Sequence, residues 1–251
     1  MYQKTKPYSY PVSFNHVLQF DSDIEEPEYY AEFSDTLISA SESDTISIYF
    51  NTDGGSAQTM IQLINLMRNC KAQIDGYLVG SASSAGSFLL LHCDNIYIGE
   101  YTEMLVHTVS FGSRGDLPSV QAHVNHVGKQ AERLLRETYK HFLTEEELHD
   151  VLVNNRQLWL DDTEINRRLA IRQEALEKEH KANIDKQYAE MEQLFEDELA
   201  PKWVWNKLTK AQLVQYLQGD IDIDYDEETK TVKIIPITVD NPEDKEHTPS
   251  K

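Results

Sequence analysis

Two hydrophobic periods alternate along the first two-thirds of the chain. Short runs rich in β-branched and aromatic residues predict strands over residues 17–20, 45–50, 74–79, 95–98 and 104–108. Apolar residues repeated every three or four positions predict helices over residues 28–40, 57–69 and 118–143. This order of strands and helices indicates an α/β fold in which helices cover a mainly parallel sheet.

The pattern changes after residue 143. Thr144 followed by three glutamates is typical of a helix start, and residues 159–164 contain a second such start. Residues 165–199 contain neither proline nor glycine and are rich in charge, which predicts a long exposed helix or a helix pair. Further on, the sequence predicts a short helix over 211–217 that Gly219 ends, and a β-hairpin of 221–225 and 231–235.

These changes divide the chain into four predicted segments. Residues 1–16 are expected to form an irregular N-terminal arm, and residues 17–169 the main domain. Residues 170–237 follow as a charged helical extension with the hairpin. The polar, proline-containing tail over 238–251 is predicted to be disordered.

Composition narrows the classes of partner. The net charge of −20 argues against a nucleic acid and against an anionic membrane. No apolar run approaches the ~20 residues of a membrane span, and no apolar core follows the N-terminus, so we expect no signal peptide and a cytoplasmic protein. We interpret Cys70 and Cys93 as small core residues of a protein in a reducing compartment. His123 and His126 have helical metal-ligand spacing but no carboxylate partners, so neither a metal nor a cofactor is expected.

The stretch over residues 77–91 combines a predicted buried strand, a turn of small residues and an apolar helix. Ser84 lies where the turn becomes helix, which exposes its hydroxyl at a strand end beside free N–H groups, including that of Ala85. Small residues also pack at such turns for purely structural reasons. The arrangement nevertheless suits a nucleophile whose oxyanion must be stabilised.

Two further residues at predicted strand ends complete an acyl-transfer site. Gly54 begins a Gly-Gly pair between a strand and a helix, where its N–H could point into a site or serve a simple helix-entry turn. His107 follows on a later strand, and alone it would usually be structural. Sites in parallel sheets form at the carboxyl ends of strands. We therefore expect Ser84 and His107 to meet beside two donors, the N–H groups of Gly54 and Ala85.

Three ordered motifs then identify a family resemblance. The segment Asn-Thr-Asp-Gly-Gly at 51–55 is similar to Asn-Ser-Pro-Gly-Gly of the Clp protease proteolytic subunits, a family of serine peptidases. Their nucleophile motif Gly-x-Ala-x-Ser-x-Gly-x-Phe matches residues 80–88, and their apolar-apolar-His strand matches residues 105–107. The resemblance runs from about residue 17 to about residue 169 at family spacing.

The resemblance implies a ClpP/crotonase-type fold, a spiral of ββα units with a protruding handle helix over 118–143 that helps to pair two rings. It implies that Ser84 is the nucleophile, that His107 is the general base, and that Gly54 and Ala85 donate to the oxyanion. The implied activity is that of a serine endopeptidase acting on polypeptides within a ring-shaped homo-oligomer, without a cofactor.

The sequence departs from the family at the third catalytic position. The family's triad aspartate precedes an aromatic–Leu pair by two residues, and here that position holds Gln157. A neutral amide can orient the imidazole but cannot stabilise imidazolium as a carboxylate does, and loss of the acid costs about 10⁴ in rate. The residues that stay open as replacements are Asp161, Asp162, Asn154 and Asn155.

Both ends of the chain depart as well. The arm lacks the family's apolar-Pro pattern, which speaks against docking of an ATP-driven (AAA+) unfoldase, although such a partner stays open. Residues 170–251 have no counterpart in housekeeping subunits. Extended members of this kind resemble those of tailed bacteriophages, which act as head-maturation proteases without an unfoldase.

Two alternatives accompany the peptidase hypothesis. Gln157 at the acid position also fits a weakly active or inactive relative that serves as a scaffold or assembly protein. An acyl-CoA enzyme of the crotonase type shares the fold and the paired N–H donors. The pairing of Ser84 with His107 speaks against that enzyme class, because it needs no serine nucleophile there.

Overall fold

The computed structural model describes residues 12–195 and 202–237. The chain divides into two compact units, the first ending at Glu174 and the second beginning at Ala175. The predicted disordered tail over 238–251 and most of the predicted N-terminal arm lie outside the described residues.

A six-stranded sheet forms the centre of the first unit. Its strands are β1 (Asn15–Phe20), β2 (Thr45–Thr52), β3 (Gln73–Ser83), β4 (Asn95–Ile98), β5 (Glu103–Val106) and β6 (Leu158–Asp161). The order is β1-β2-β3-β5-β6, and β4 pairs with the first half of β3 while β5 pairs with the second half. All pairings are parallel except that of β6 with β5, which confirms the mainly parallel α/β sheet.

The first unit also contains a series of helices. They are a 3-10 helix (Pro27–Tyr30), α1 (Ala31–Ser39), α2 (Ala57–Asn69), α3 (Ala85–Leu90), α4 (Leu117–Thr138), α5 (Glu145–Val153) and the start of α6 (Asp162–Phe195). The predicted apolar stripe of α2 is confirmed as core, since Met60, Leu63, Ile64 and Met67 are buried. Every residue of α3 is buried, so this helix lies beneath the surface at the end of β3.

Three boundaries differ from the predictions. Strand β3 continues to Ser83, so most of the small residues predicted as a turn still pair with neighbouring strands. Helix α4 ends at Thr138, and soon afterwards His141 has a φ of 62°, a left-handed conformation that no helix can continue. The helix start predicted at 159–164 is confirmed at Asp162, where α6 begins, but the sequence does not predict the short strand β6 before it, because its two buried residues are too few to show a period.

A buried arginine joins the two helices that precede and follow β6 in the chain. Arg168 of α6 reaches both carboxylate oxygens of Glu147 in α5 at 2.7 and 2.8 Å, and its Nε donates to Glu164 at 2.6 Å. Glu147 also completes the capping box that begins α5 at Thr144, and Arg168 donates to the Phe142 carbonyl oxygen. The hydrogen bonds from Arg168 are the main cause that lowers the pKa of Glu147 to about 2.

The second unit contains α7 (Lys202–Trp205), α8 (Lys210–Gln218), β7 (Ile221–Asp226) and β8 (Thr231–Pro236). The predicted hairpin is confirmed, with β7 antiparallel to β8. Gly219 ends α8 in the left-handed conformation at φ 77°, as predicted. Among the described helices, none is both long and apolar enough to cross a membrane.

Candidate active site

Parallel pairing brings three strand ends to one edge of the sheet. Thr52 of β2 pairs with Ala82 of β3, and Ser83 of β3 pairs with Leu105 of β5. The chain segments that follow these paired residues contain the Gly-Gly pair, Ser84 and His107. The carboxyl ends of β2, β3 and β5 therefore place the sequence-predicted residues side by side.

A cavity of about 200 Å³ lies at this edge. Its lining residues are Gly55, Ala57, Met60, Ser84, Ala85, Phe88, His107, Thr108, Val109 and Ser110. Three of the predicted site residues thus share one cavity, namely Ser84, Ala85 and His107. The rest of the lining mixes the apolar side chains of Ala57, Met60, Phe88 and Val109 with the polar residues Thr108 and Ser110.

The main chain of Ser84 is strained. Its φ of 51° and ψ of −120° lie outside the usual regions for a residue with a side chain, at a cost on the order of 1–3 kcal/mol. Its N–H donates to the Leu105 carbonyl oxygen at 2.9 Å. A Cβ added to Gly54 would come within 2.7 Å of the Ser84 Cβ, so only glycine allows this approach. Contacts with the neighbouring main chain therefore stabilise the unusual conformation of Ser84 in the strand-to-helix turn.

The N–H groups of the two consecutive glycines, Gly54 and Gly55, differ in their hydrogen bonding. The N–H of the predicted donor Gly54 is already used, because it donates to Thr52 Oγ1 at 3.1 Å. Gly55 instead lines the cavity. Among the described residues we find no acceptor for the N–H of Gly55 or for that of Ala85, the first residue of α3. Gly55 and Ala85 thus line the cavity with N–H groups that have no acceptor among the described residues, whereas the N–H of Gly54 has one.

His107 follows β5 and makes one hydrogen bond that fixes its tautomer. Its Nδ1 lies 2.5 Å from the carbonyl oxygen of Thr108, an atom that can only accept. In the neutral ring the Nδ1 therefore carries the proton, and the Nε2 has the free lone pair. Among the described residues, no hydrogen bond joins Ser84 Oγ to His107, although both line the cavity. Such contacts are often long before substrate binds.

The candidates for the third position are far apart. Val106 pairs with Leu158 and Glu103 pairs with Asp161 in antiparallel β5 and β6, so continuing the register by one residue sets Gln157 opposite His107. Gln157 is exposed. Asp161 lies at the opposite end of β5 and accepts from the Glu164 N–H at 2.8 Å, as a cap of α6. The structure therefore does not bring Asp161 to the cavity.

The other possible replacements are also occupied. Asp162 accepts from the Tyr101 N–H at 3.1 Å. The Asn154 amide donates to Asp150 Oδ1 at 2.8 Å. Asn155 has a φ of 53° in the loop that precedes β6. None of the three lines the cavity.

His123 and His126 lie on α4, away from the residues that line the cavity. His123 Nδ1 lies 2.9 Å from Ser113 Oγ, and its ring contacts that of Phe111 edge-on. Within residues 12–195 and 202–237, no group of three or more His, Cys, Asp or Glu side chains is placed to hold a metal ion.

Comparison with known proteins identifies the family of this chain. The model of the Clp protease family matches residues 21–167, more than half of the chain, and the chain therefore belongs to this family. The ATP-dependent Clp protease proteolytic subunit of Deinococcus radiodurans is 30% identical over 110 residues, which cover 42% of this chain and 52% of that protein. The chain thus spans about half the length of this curated relative. Members of the family are peptidases.

Proposed function

We propose that this chain is a serine endopeptidase in which Ser84 is the nucleophile and His107 the general base. The observation that carries the proposal is the strained main chain of Ser84 at the edge of a cavity that also contains His107. A serine in such a conformation, beside a histidine and two free N–H groups, has the parts that acyl transfer needs. Membership of a peptidase family supports the same chemistry.

In the proposed mechanism, His107 Nε2 takes the hydroxyl proton as Ser84 Oγ attacks the peptide carbonyl carbon. The N–H groups of Gly55 and Ala85 stabilise the oxyanion. Collapse of this intermediate breaks the C–N bond, and His107 gives its proton to the leaving amine. His107 then deprotonates a water molecule that attacks the acyl-enzyme, the carboxylic acid leaves, and the proton returns to Ser84.

The third position sets the rate in this proposal. The Thr108 carbonyl oxygen orients His107 and selects the tautomer, which is one of the two tasks of a triad aspartate. Neither this carbonyl nor Gln157 carries a charge, so the imidazolium that forms during attack is not neutralised. We expect a slow peptidase, with a rate up to about 10⁴ below that of a relative with a full triad.

The proposal includes a ring-shaped homo-oligomer with α4 as its handle. Leu117 and Val124 on α4 are 77% and 45% exposed in the single chain, and only Leu135 and Thr138 of that helix are buried. Pairing of such helices between copies would cover the apolar residues. The charged helix α6 fits a role in assembly or substrate docking, as in a phage head-maturation protease that acts on polypeptides without an AAA+ unfoldase.

A second candidate is a scaffold of the same fold with little or no activity. The observation in its favour is Gln157 opposite His107, where a carboxylate is expected. In that case the strained Ser84 would be a remnant, and the protein would act through assembly alone.

Hydrolysis of a short fluorogenic peptide amide by the assembled protein separates the two candidates. The variants are Ser84→Ala, His107→Ala and, as a matched control, Ser110→Ala, which removes another hydroxyl of the same cavity. The peptidase proposal predicts slow turnover that the first two variants abolish and the control retains. Turnover that survives Ser84→Ala, or none in the assembled wild type, contradicts it. The scaffold candidate predicts the same oligomer in every variant and no turnover.

A further inference from the structure

Two buried hydroxyl groups connect the end of α4 to the turn that carries Ser84. The Ser87 Oγ donates to the Ser84 carbonyl oxygen at 2.7 Å, and the Ser87 N–H reaches the same oxygen at 3.0 Å. The Ser87 Oγ also lies 2.6 Å from the hydroxyl of Tyr139, a residue 52 positions later in the chain. Ser87 and Tyr139 are both fully buried.

The direction of each hydrogen bond follows from the atoms. A carbonyl oxygen can only accept, so the single hydroxyl proton of Ser87 points to Ser84. The Ser87 Oγ then has only lone pairs for Tyr139, and the Tyr139 hydroxyl must donate. The chain of donation runs from Tyr139 through Ser87 to the Ser84 carbonyl. Donation into Ser87 polarises its hydroxyl and strengthens the second bond.

We propose that Tyr139 and Ser87 are positioning residues that hold the main chain of Ser84 in its strained conformation. The inference rests on the proposed role of Ser84 as the nucleophile. The Leu105 carbonyl oxygen holds the Ser84 N–H on one side, and the Ser87 hydroxyl holds the Ser84 carbonyl on the other. With both ends of the residue fixed, its side chain keeps one direction towards the cavity.

The surroundings of Tyr139 suit this task. Its ring packs edge-on against Phe88 at a centroid distance of 5.0 Å, and Phe88 itself lines the cavity. Burial raises the pKa of the Tyr139 phenol, which keeps the hydroxyl protonated and therefore a donor. The rigid ring of Tyr139 thus links the end of α4 to the turn that contains Ser84.

The test compares three variants of the full-length, assembled protein. Tyr139→Phe and Ser87→Ala each remove one hydroxyl of the chain and keep the packing. The matched control is Thr138→Val, because the Thr138 hydroxyl is buried beside Tyr139 without a hydrogen-bond partner. The first readout is the reaction of a fluorophosphonate probe, separated into its binding constant and its rate of covalent attack. The second is hydrogen exchange of the amides over residues 84–88, which needs no activity.

We expect Tyr139→Phe and Ser87→Ala to lower the attack rate about tenfold to a hundredfold with an unchanged binding constant, because only the approach of Ser84 is altered. Amide exchange over 84–88 should rise about tenfold in both, and Thr138→Val should change neither readout. The double variant should lose no more than Ser87→Ala alone, since Tyr139 acts through Ser87.

An attack rate that Tyr139→Phe leaves unchanged, or additive losses in the double variant, overturns the inference. If the wild type does not react with the probe, the proposed function fails. Hydrogen exchange then tests the positioning role on its own. Faster exchange in both variants then supports the positioning role, and unchanged exchange refutes it.

Discussion

Gln157 stands opposite His107 when the antiparallel register of β5 and β6 is continued by one residue. Gln157 is neutral, and it lies in the segment between α5 and β6, where Arg168 of α6 pairs with Glu147 of α5. The residue that the continued register sets opposite His107 therefore carries no charge.

Restoring the charge should accelerate the reaction. We predict that Gln157→Asp raises peptide hydrolysis at least about tenfold, with an upper limit near 10⁴-fold, because a carboxylate stabilises the imidazolium form of His107 during attack. Gln157→Asn is the control, since it has the length of aspartate without the charge. Equal rates for the two variants would show that Gln157 does not face His107 in the working enzyme.

The tautomer of His107 is a separate prediction. Because Nδ1 donates to the Thr108 carbonyl oxygen, ¹⁵N spectra of histidine-labelled protein should show a protonated Nδ1 and a bare Nε2 for this residue. The spectrum of His107→Gln assigns the signals by their loss. A proton on Nε2 in the neutral ring would contradict the proposed base, because that nitrogen could not then accept from Ser84.

The close approach of Gly54 to the nucleophile predicts a specific loss. In Gly54→Ala the new Cβ would lie 2.7 Å from both the Ser84 Cβ and the Ser83 carbonyl oxygen, and the φ of 98° adds strain. We expect fluorophosphonate labelling to fall about a hundredfold as Ser84 is displaced. Gly112→Ala, where a Cβ meets nothing within 4 Å, should label like the wild type. Normal labelling of Gly54→Ala would refute the described packing of this turn.

The pair of Arg168 with Glu147 should contribute to the loss of stability in acid. The pKa of Glu147 is lowered to about 2 by hydrogen bonds from Arg168, against 4.5 ordinarily, so the pair stabilises the fold above about pH 4.5 and is lost as the pH falls towards 2. Arg168→Met should cost about 3 kcal/mol at pH 7, since it leaves a carboxylate without its partner in a partly buried site.

Arg168→Met should also make the melting temperature fall less steeply between pH 5 and pH 2, because it removes the part of this fall that comes from protonation of Glu147. Arg133→Met is the control, because Arg133 makes an exposed pair with Glu137 outside this network, a kind worth about 0–1 kcal/mol. An equally steep acid transition in Arg168→Met and the wild type would assign the acid sensitivity to other groups.

Some of this site is readable from the sequence and some is not. Ser84 and His107 end parallel strands, and parallel strand ends meet at one edge, so their proximity follows from the pattern of elements alone. The choice between Gly54 and Gly55 depends on which N–H turns towards Thr52, and a glycine pair in a sequence contains no signal for that.

Long-range contacts set the remaining limits. Strand β6 has only four residues, and the pairing that identifies it comes from β5, more than fifty residues earlier. The hydrogen bond between Ser87 and Tyr139 likewise joins residues that no local pattern relates. The hydrogen bond from His107 Nδ1 to the Thr108 carbonyl oxygen depends on the side-chain rotamer of His107. These features come from tertiary packing, which periodicity does not describe.

Mass spectrometry after treatment with a fluorophosphonate is the most direct test of Ser84 as a nucleophile. The proposed mechanism predicts one phosphonyl adduct per chain, located by peptide mapping on Ser84, and no adduct in His107→Ala over the same time. An adduct on another residue, or an assembled wild type that stays unmodified at high probe concentration, would contradict it.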